Sequence, residues 1–363
     1  MSVYLIFLFF AMSLCGFRIK HYATNSYFHP FELLGWVTII CFSGFRYGIG
    51  TDYYSYESIF YSIERGGAYN ESLELGFKLL GALFPNSQDG FFCFLFVLSL
   101  ITNIVFLIAL YRENKKLSEN IKLLGLLLFF LSSTYFWPFN GVRQGIACAF
   151  VAYSLKYIYA RSFIKFAICI LIASLFHKSA LLVVVIYFLY PIRIPHLFYL
   201  FAVLTSIIIH QVGVVSFIGE ILLPYLGDKY ARYIYNPLDF GGSGLGVYVY
   251  VLIFLVLWSA RGILSKNLHK HYDILRRIDF YLLLYTIGII LRIFALDNLI
   301  FVRFAYYFTI FDMFFIPYLI SQFKRPSNRI VLSIFFLFVY FILFLNSIMN
   351  SNDLLPYESI LLR

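Results

Sequence analysis

Residues 91–111 read FFCFLFVLSLITNIVFLIALY, an unbroken apolar run without a single charged residue. At about 1.5 Å of rise per residue, such a run spans the roughly 30 Å of hydrocarbon in a bilayer as one helix. A transmembrane strand would alternate polar and apolar positions, and this run does not. The rest of the chain repeats the pattern. Its 363 residues are 62% hydrophobic and 13% charged, with a mean hydropathy of +0.84. A globular domain carries about 25% charged residues, so the excess apolar surface calls for lipid around it. A soluble enzyme is excluded.

Working outward from 91–111, further apolar segments fall at about 2–17, 31–47, 121–137, 142–160, 162–177, 179–191, 196–212, 244–262, 278–296, 301–321 and 329–348. The expectation is an all-α, polytopic bundle of about 12 transmembrane helices, with residues 1–363 forming one integral membrane domain. No basic residue precedes the apolar run from Val3 to Phe17, so the first segment is read as a retained span and not as a signal peptide. Eighteen of the 28 Lys and Arg fall in connections that alternate along the chain, beginning with Arg18 and Lys20. The positive-inside bias therefore puts those connections inside and both termini outside. The +10 net charge is scattered through these short loops, which argues against a nucleic-acid partner. Two outer connections, 48–90 and 213–243, are long enough to hold short interfacial helices. GGSG at 241–244 marks a hinge or a flexible spacer before the ninth span. The five cysteines lie inside predicted spans without metal-ligand spacing and read as small packing residues. No internal repeat, and no zinc-protease, serine-hydrolase, P-loop or kinase motif, is present.

Four arginines do not fit the topological pattern: Arg46, Arg143, Arg292 and Arg303 sit within or at the outer ends of spans, where an unpaired charge costs several kcal/mol. In WPFNGVRQGIA (137–147), Pro138 ends one span, Asn140 is placed to cap the next helix, and Arg143 and Gln144 enter its first turn. A cation beside the positive end of a helix dipole is unfavourable unless an anion shares the site. Free N–H groups plus a guanidinium make a phosphate receptor; the alternative is an Arg143 that snorkels to lipid headgroups. Arg292 and Arg303 flank the LDN turn at 296–298. The hairpin is expected to bring them to similar depth, where they repel unless an anion, or Asp297, lies between. Asp312 is a further acid inside the eleventh span. FRYGIGTDYYSY (45–56) ends the second span and brings Arg46, Tyr47, Asp52 and Tyr53 to the membrane surface, where tyrosines serve an interfacial belt or stack on sugars. In FHKSA (176–180), His177 is a side chain able to accept a proton near neutral pH, and Ser179 is placed to cap the seventh helix.

FRYGIGTDYYSY, FNGVRQGIA (139–147), LFHKSA (175–180), GGSGLGVY (241–248) and the late Pro356-Tyr357 together resemble the EpsG family of Wzy-type polysaccharide polymerases. The strongest of these motifs precede residue 180. The resemblance implies a multi-span fold similar to lipid-dependent, GT-C-like glycosyltransferases. It also implies a bacterial inner-membrane enzyme whose active site faces the periplasm. Its donor and acceptor would be undecaprenyl-diphosphate-linked glycans, in contact with membrane lipids and with a chain-length regulator protein. The expected chemistry needs no cofactor and no metal. Arg143 and Arg303 would bind the pyrophosphate, with Arg46, Arg292, Tyr47, Tyr53, Asn140 and Gln144 supporting. His177 or Asp52 would take the proton of the attacking hydroxyl. A lipid-linked oligosaccharide flippase and an O-antigen ligase-like transferase are the alternatives.

Overall fold

A backbone in lipid has no water to bond, so its N–H and C=O groups must pair within the segment, and helices result. The computed structural model describes residues 1–21, 26–64, 73–217, 245–267, 271–298, 300–350 and 353–362. These form fifteen α-helices: α1 (Ser2–Gly16), α2 (Glu32–Gly44), α3 (Tyr53–Glu64), α4 (Leu75–Gly81), α5 (Gln88–Asn114), α6 (Glu119–Leu131), α7 (Val142–Tyr159), α8 (Phe163–Ser174), α9 (Val185–Leu189), α10 (His196–Gln211), α11 (Leu245–Asn267), α12 (Tyr272–Phe294), α13 (Ile300–Thr309), α14 (Asp312–Ser321) and α15 (Pro326–Asn350). Every apolar segment found in the sequence is helical. Four helical stretches, Gln88–Asn114, Gly246–Lys266, Ile300–Ser321 and Pro326–Met349, are long and apolar enough to cross a membrane unaided. The chain is an integral membrane protein. The connection beyond Phe217, its GGSG, and Arg65, Lys229, Arg232 and Arg363 lie outside the described residues.

Three local departures from the sequence reading have plain causes. After α1 the chain makes a short antiparallel pair, β1 (Ile19–His21) and β2 (Ser26–Phe28), with Ile19 opposite Phe28. Three-residue strands carry too little periodicity to be seen in sequence. The seventh segment starts as a 3-10 helix over Lys178–Val184 and only then becomes α9, so Ser179 lies inside the turn instead of capping it. Its β-branched and crowded LLVVV run disfavours regular α packing. The eleventh segment breaks between α13 and α14, and Asp312 opens α14, where an acid suits the helix N-terminus.

The helices group into two compact units, residues 1–184 with 344–363, and residues 185–343. In the first, α1 packs on α2, α2 on α5, α5 on α7 and α7 on α8. At Gly35 a Cβ would meet the Cys15 sulfur at 2.4 Å, so the glycine is what lets α1 and α2 approach. All five cysteines are free, and Cys15, Cys148 and Cys169 are buried, as packing residues should be. The core is aromatic: Phe7 stacks on Phe42 at 3.8 Å, and Phe42 on Tyr357 at 4.2 Å. Tyr357 belongs to the C-terminal tail, which is tied to the loop after α2. Tyr47 N donates to Glu358 O, Gly50 N to Asp353 O, and Ile360 N to Phe45 O, all at 2.9–3.0 Å. The tail and the FRYGIG loop therefore share one end of the unit.

In the second unit α12 is central, in contact with α10, α11, α13 and α14. Arg261 on α11 grips Asp279 on α12 through two hydrogen bonds of 2.6 and 3.0 Å. Asp312 is 1% exposed and accepts from Tyr340 Oη at 2.6 Å, a hydrogen bond that ties two helices together.

Candidate functional site

Residues 45–56 and 137–147, both singled out in the sequence, fold against each other in the first unit. Gly50 has φ +101°, open to glycine. A Cβ there would lie 2.5 Å from Asn140 Oδ1 and 2.9 Å from Phe139 O, so the glycine loop rests directly on the WPFN turn. That turn is a 3-10 helix over Trp137–Phe139, and Gly141, not Asn140, occupies the cap position of α7. Asn140 and Gln144 are buried, at 5% and 4% exposure.

Arg46 points into this junction and is 2% exposed. Its guanidinium lies 4.7 Å from the centre of the Phe139 ring, and its Nη1 donates to Ser43 O at 2.5 Å and Ser99 Oγ at 3.3 Å. The carbonyl end of α2 and the ring face together hold the charge. The Arg46 Nε is buried and finds no hydrogen-bond partner among the described residues. A cavity of about 10 Å³ beside it, lined by Ser99, Thr102 and Asn103, is the size of one water. Tyr53 is also buried, with its ring 5.5 Å from that of Phe91. Tyr47 packs 6.0 Å from Phe92. Tyr53 therefore serves the core, while Tyr47 stays half-buried.

Arg143 is different. It occupies the first turn of α7, and its Nη1 lies 2.6 Å from Glu74 Oε2. Glu74 caps α4 and is 7% exposed. Its second oxygen faces the other motif: Lys178 N donates to Oε1 at 3.4 Å, and His177 Nδ1 lies 3.4 Å away. Helix α4 is docked there because Gly76 N donates to Leu175 O at 2.8 Å, an approach a side chain at Gly76 would block. Buried Tyr56 on α3 hydrogen-bonds Arg143 and feels the charge of Asp52, whose carbonyl accepts from Tyr56 N at 2.9 Å. One carboxylate thus gathers Arg143, the His177 ring and the Lys178 N–H.

Sequence reasoning missed Glu74. The anion that Arg143 requires is, in the first instance, this carboxylate. Burial works against its ionisation, but the His177 and Arg143 contacts outweigh burial and pull its pKa from 4.5 down to about 2. Glu74 is therefore charged at every physiological pH. Arg143 meets Glu74 through Nη1 and also bonds Tyr56, its buried Nε has no acceptor among the described residues, and a quarter of the side chain is exposed. Donors remain for a second anion. His177 Nδ1 is within ion-pair reach of Glu74 but makes no hydrogen bond among the described residues, and either ring nitrogen of an imidazole can carry the proton.

The other predicted cations lie in the second unit. Arg292 stacks 4.0 Å over the Tyr250 ring and reaches Thr309 Oγ1 at 3.4 Å. Thr309 is six residues beyond Arg303, about 9 Å along the helix, so the two guanidiniums are staggered in depth. Arg303 is exposed. Asp297 does not sit between them; its carboxylate accepts from His210 Nδ1 at 3.0 Å and from Ser216 Oγ at 3.4 Å. Among the described residues, no group of three or more His, Cys, Asp or Glu is arranged to hold a metal ion.

The stretches that meet around Glu74 are those that carried the family resemblance, and a family model described as the EpsG family matches residues 33–359. The chain belongs to the EpsG family. EpsG proteins are Wzy-like polysaccharide polymerases, so membership points to a membrane glycosyltransferase-type polymerase with lipid-linked sugar substrates. No curated protein and no solved structure matches the chain.

Proposed function

We propose that this EpsG-family protein joins undecaprenyl-diphosphate-linked oligosaccharide units at the outer face of the bacterial inner membrane, and that the Glu74 cluster is its reacting centre. The observation that carries the reading is the convergence of Arg143, the His177 ring and the Lys178 backbone N–H, from two separate stretches of chain, on the buried Glu74 carboxylate of a third. In the reaction, the anomeric C–O bond to the donor's pyrophosphate breaks, and the lipid diphosphate leaves with the bonding electrons. A hydroxyl of the acceptor sugar forms the new C–O bond and gives up its proton.

Each step has a residue suited to it. Negative charge builds on the leaving pyrophosphate, and a preorganised guanidinium stabilises it without having to reorganise. Glu74 holds Arg143 in that orientation, and the positive end of α7 adds to it. His177 Nε2 takes the hydroxyl proton, and the opposite ring nitrogen lies 3.4 Å from Glu74 Oε1. We assign the base to His177 and not to Asp52, because the His177 ring lies 3.4 Å from the carboxylate that also holds Arg143. Arg303, exposed in the second unit, keeps a separate proposed role as a phosphate-facing cation.

Reconstitution with a purified lipid-linked repeat unit tests the reading. A ladder of product lengths supports a polymerase. Single addition to a different acceptor would instead indicate a ligase, and transbilayer movement without bond formation a flippase. Arg143→Ala should abolish the ladder while the protein remains folded and inserted; a full ladder from that variant overturns the proposed pyrophosphate contact.

A further inference from the structure

A second polar site lies at the opposite end of α2 from Arg46, about 20 Å away along the 13-residue helix. Here a cavity of about 120 Å³ opens between the C-terminal ends of α1 and α5 and the N-terminal ends of α2 and α6. One water needs only about 10–15 Å³ on this measure, so the space suits a larger guest. Its walls include Arg18, His29, Glu32, Asn114, Glu119 and Lys122.

Some of these groups satisfy one another. Lys122 Nζ donates to Glu119 Oε1 at 2.6 Å, His29 Nε2 lies 3.3 Å from Glu119 Oε2, and Arg18 Nη2 donates to Asn120 Oδ1 at 2.8 Å. Among the described residues, three buried nitrogens on the same cavity find no partner: Arg18 Nη1, Asn114 Nδ2 and His29 Nδ1. Asn114 is 2% exposed, so no bulk water reaches its amide to compensate. A buried donor left without an acceptor costs about 1–3 kcal/mol, which makes two such donors on one cavity a reason to expect an acceptor there. Glu32 adds a carboxylate whose neighbouring cations, His29 and Lys122, are already turned to Glu119.

Charge selects the guest. With His29 neutral, Arg18 and Lys122 balance Glu32 and Glu119, so the lining is neutral. A bare phosphate dianion would bring uncompensated negative charge beside Glu32, which burial penalises. A zwitterion brings none. We propose that this cavity binds a phosphoethanolamine-type headgroup, with its phosphate on Arg18 Nη1 and Asn114 Nδ2 and its ammonium on Glu32 and His29 Nδ1. The rim suits a lipid as the source of that group: Phe17 and Phe31 are exposed with their rings 5.2 Å apart, immediately next to Gly16 and Glu32. The inference uses none of the groups in the Glu74 cluster and does not depend on the polymerase reading.

The test compares the full-length protein in nanodiscs of phosphatidylethanolamine and of phosphatidylglycerol with the same acyl chains, and in detergent with soluble phosphoethanolamine or inorganic phosphate. Native mass spectrometry reads the retained headgroup, and thermal unfolding reads its effect. The wild type should retain one phosphatidylethanolamine in preference to phosphatidylglycerol, and Glu32→Gln should weaken that retention about tenfold, as loss of one charge-assisted bond does. Arg18→Leu should weaken retention of both lipids. Competition by soluble phosphoethanolamine would support the site and show that the headgroup alone suffices, whereas its failure to compete would support the lipid, chains included. Equal retention of the two lipids by the wild type, or unchanged phosphatidylethanolamine retention in Glu32→Gln, overturns the proposal. Glu32→Gln is nearly isosteric and keeps the test decisive should Arg18→Leu fail to fold.

Discussion

Replacing Glu74 by Gln removes one charge, keeps the side chain's shape, and leaves an oxygen for Lys178 N to bond. What is lost is the ionic contact to Arg143 at 2.6 Å and the negative charge facing His177. The pKa of Glu74, lowered from 4.5 to about 2, measures how strongly the fold prefers the charged form. That gap corresponds to about 3 kcal/mol, and solvent screening at the quarter-exposed Arg143 reduces it to about 2 kcal/mol. Glu74→Gln should therefore unfold about 2 kcal/mol more easily at pH 7 in detergent. The pH dependence carries its own sign. A depressed carboxyl pKa stabilises the fold fully above 4.5, and the contribution is lost as pH falls through about 2. Wild-type stability should thus decline below pH 4.5, with a shallower decline in the variant. Elongation should drop about a hundredfold or more, because Arg143 is no longer held in place. The assay is the product ladder from lipid-linked repeat units, run beside thermal unfolding of the same preparation. A Glu74→Gln protein with wild-type elongation would refute the catalytic reading of the cluster even if its stability fell as expected.

Three more outcomes can be measured on the same footing. His177→Gln should lose about a hundredfold or more in elongation rate with little change in thermal stability, and an unchanged rate across pH would remove His177 from the mechanism. Arg143→Lys keeps a cation for Glu74 but not the planar fork that binds a phosphate through two bonds, so elongation should fall at least tenfold while the folded fraction holds. In the second unit, Asp297→Asn weakens the contact to His210 and should cost about 1 kcal/mol of stability. A loss of more than about 3 kcal/mol there would mean that the pair is more deeply buried than its exposure of 21% and 10% indicates.

Much of the helical architecture was legible in the sequence because lipid admits few alternatives. All twelve apolar segments are helices, and their ends fall within a few residues of where charge and Gly or Pro interrupt the runs. The exceptions are local. The small β1–β2 pair, the 3-10 start of the seventh segment and the break before Asp312 depend on packing that hydropathy does not register. The motifs around residues 45–56, 137–147 and 176–180 were also legible, as were Arg143 and His177. Their shared partner was not. Glu74 lies 69 residues from Arg143, in a short amphipathic helix whose acid looked like one more charge in an acidic outer loop. The signal available was a Glu directly before LGFKLLG, in the cap position of a helix that leaves Gly76 against Leu175.

The anomalous arginines show the same division most plainly. The sequence by itself determined that Arg46, Arg143, Arg292 and Arg303 were costly, since a charge near hydrocarbon must be compensated wherever it falls in the fold. It could not determine by what. The tertiary structure decided that a carbonyl end and a phenyl face hold Arg46, that Tyr250 and Thr309 hold Arg292, and that a carboxylate from a distant helix holds Arg143. The reason is physical. The cost of a charge depends on the one residue that bears it, while its compensation depends on which groups the folded chain brings within a few ångströms.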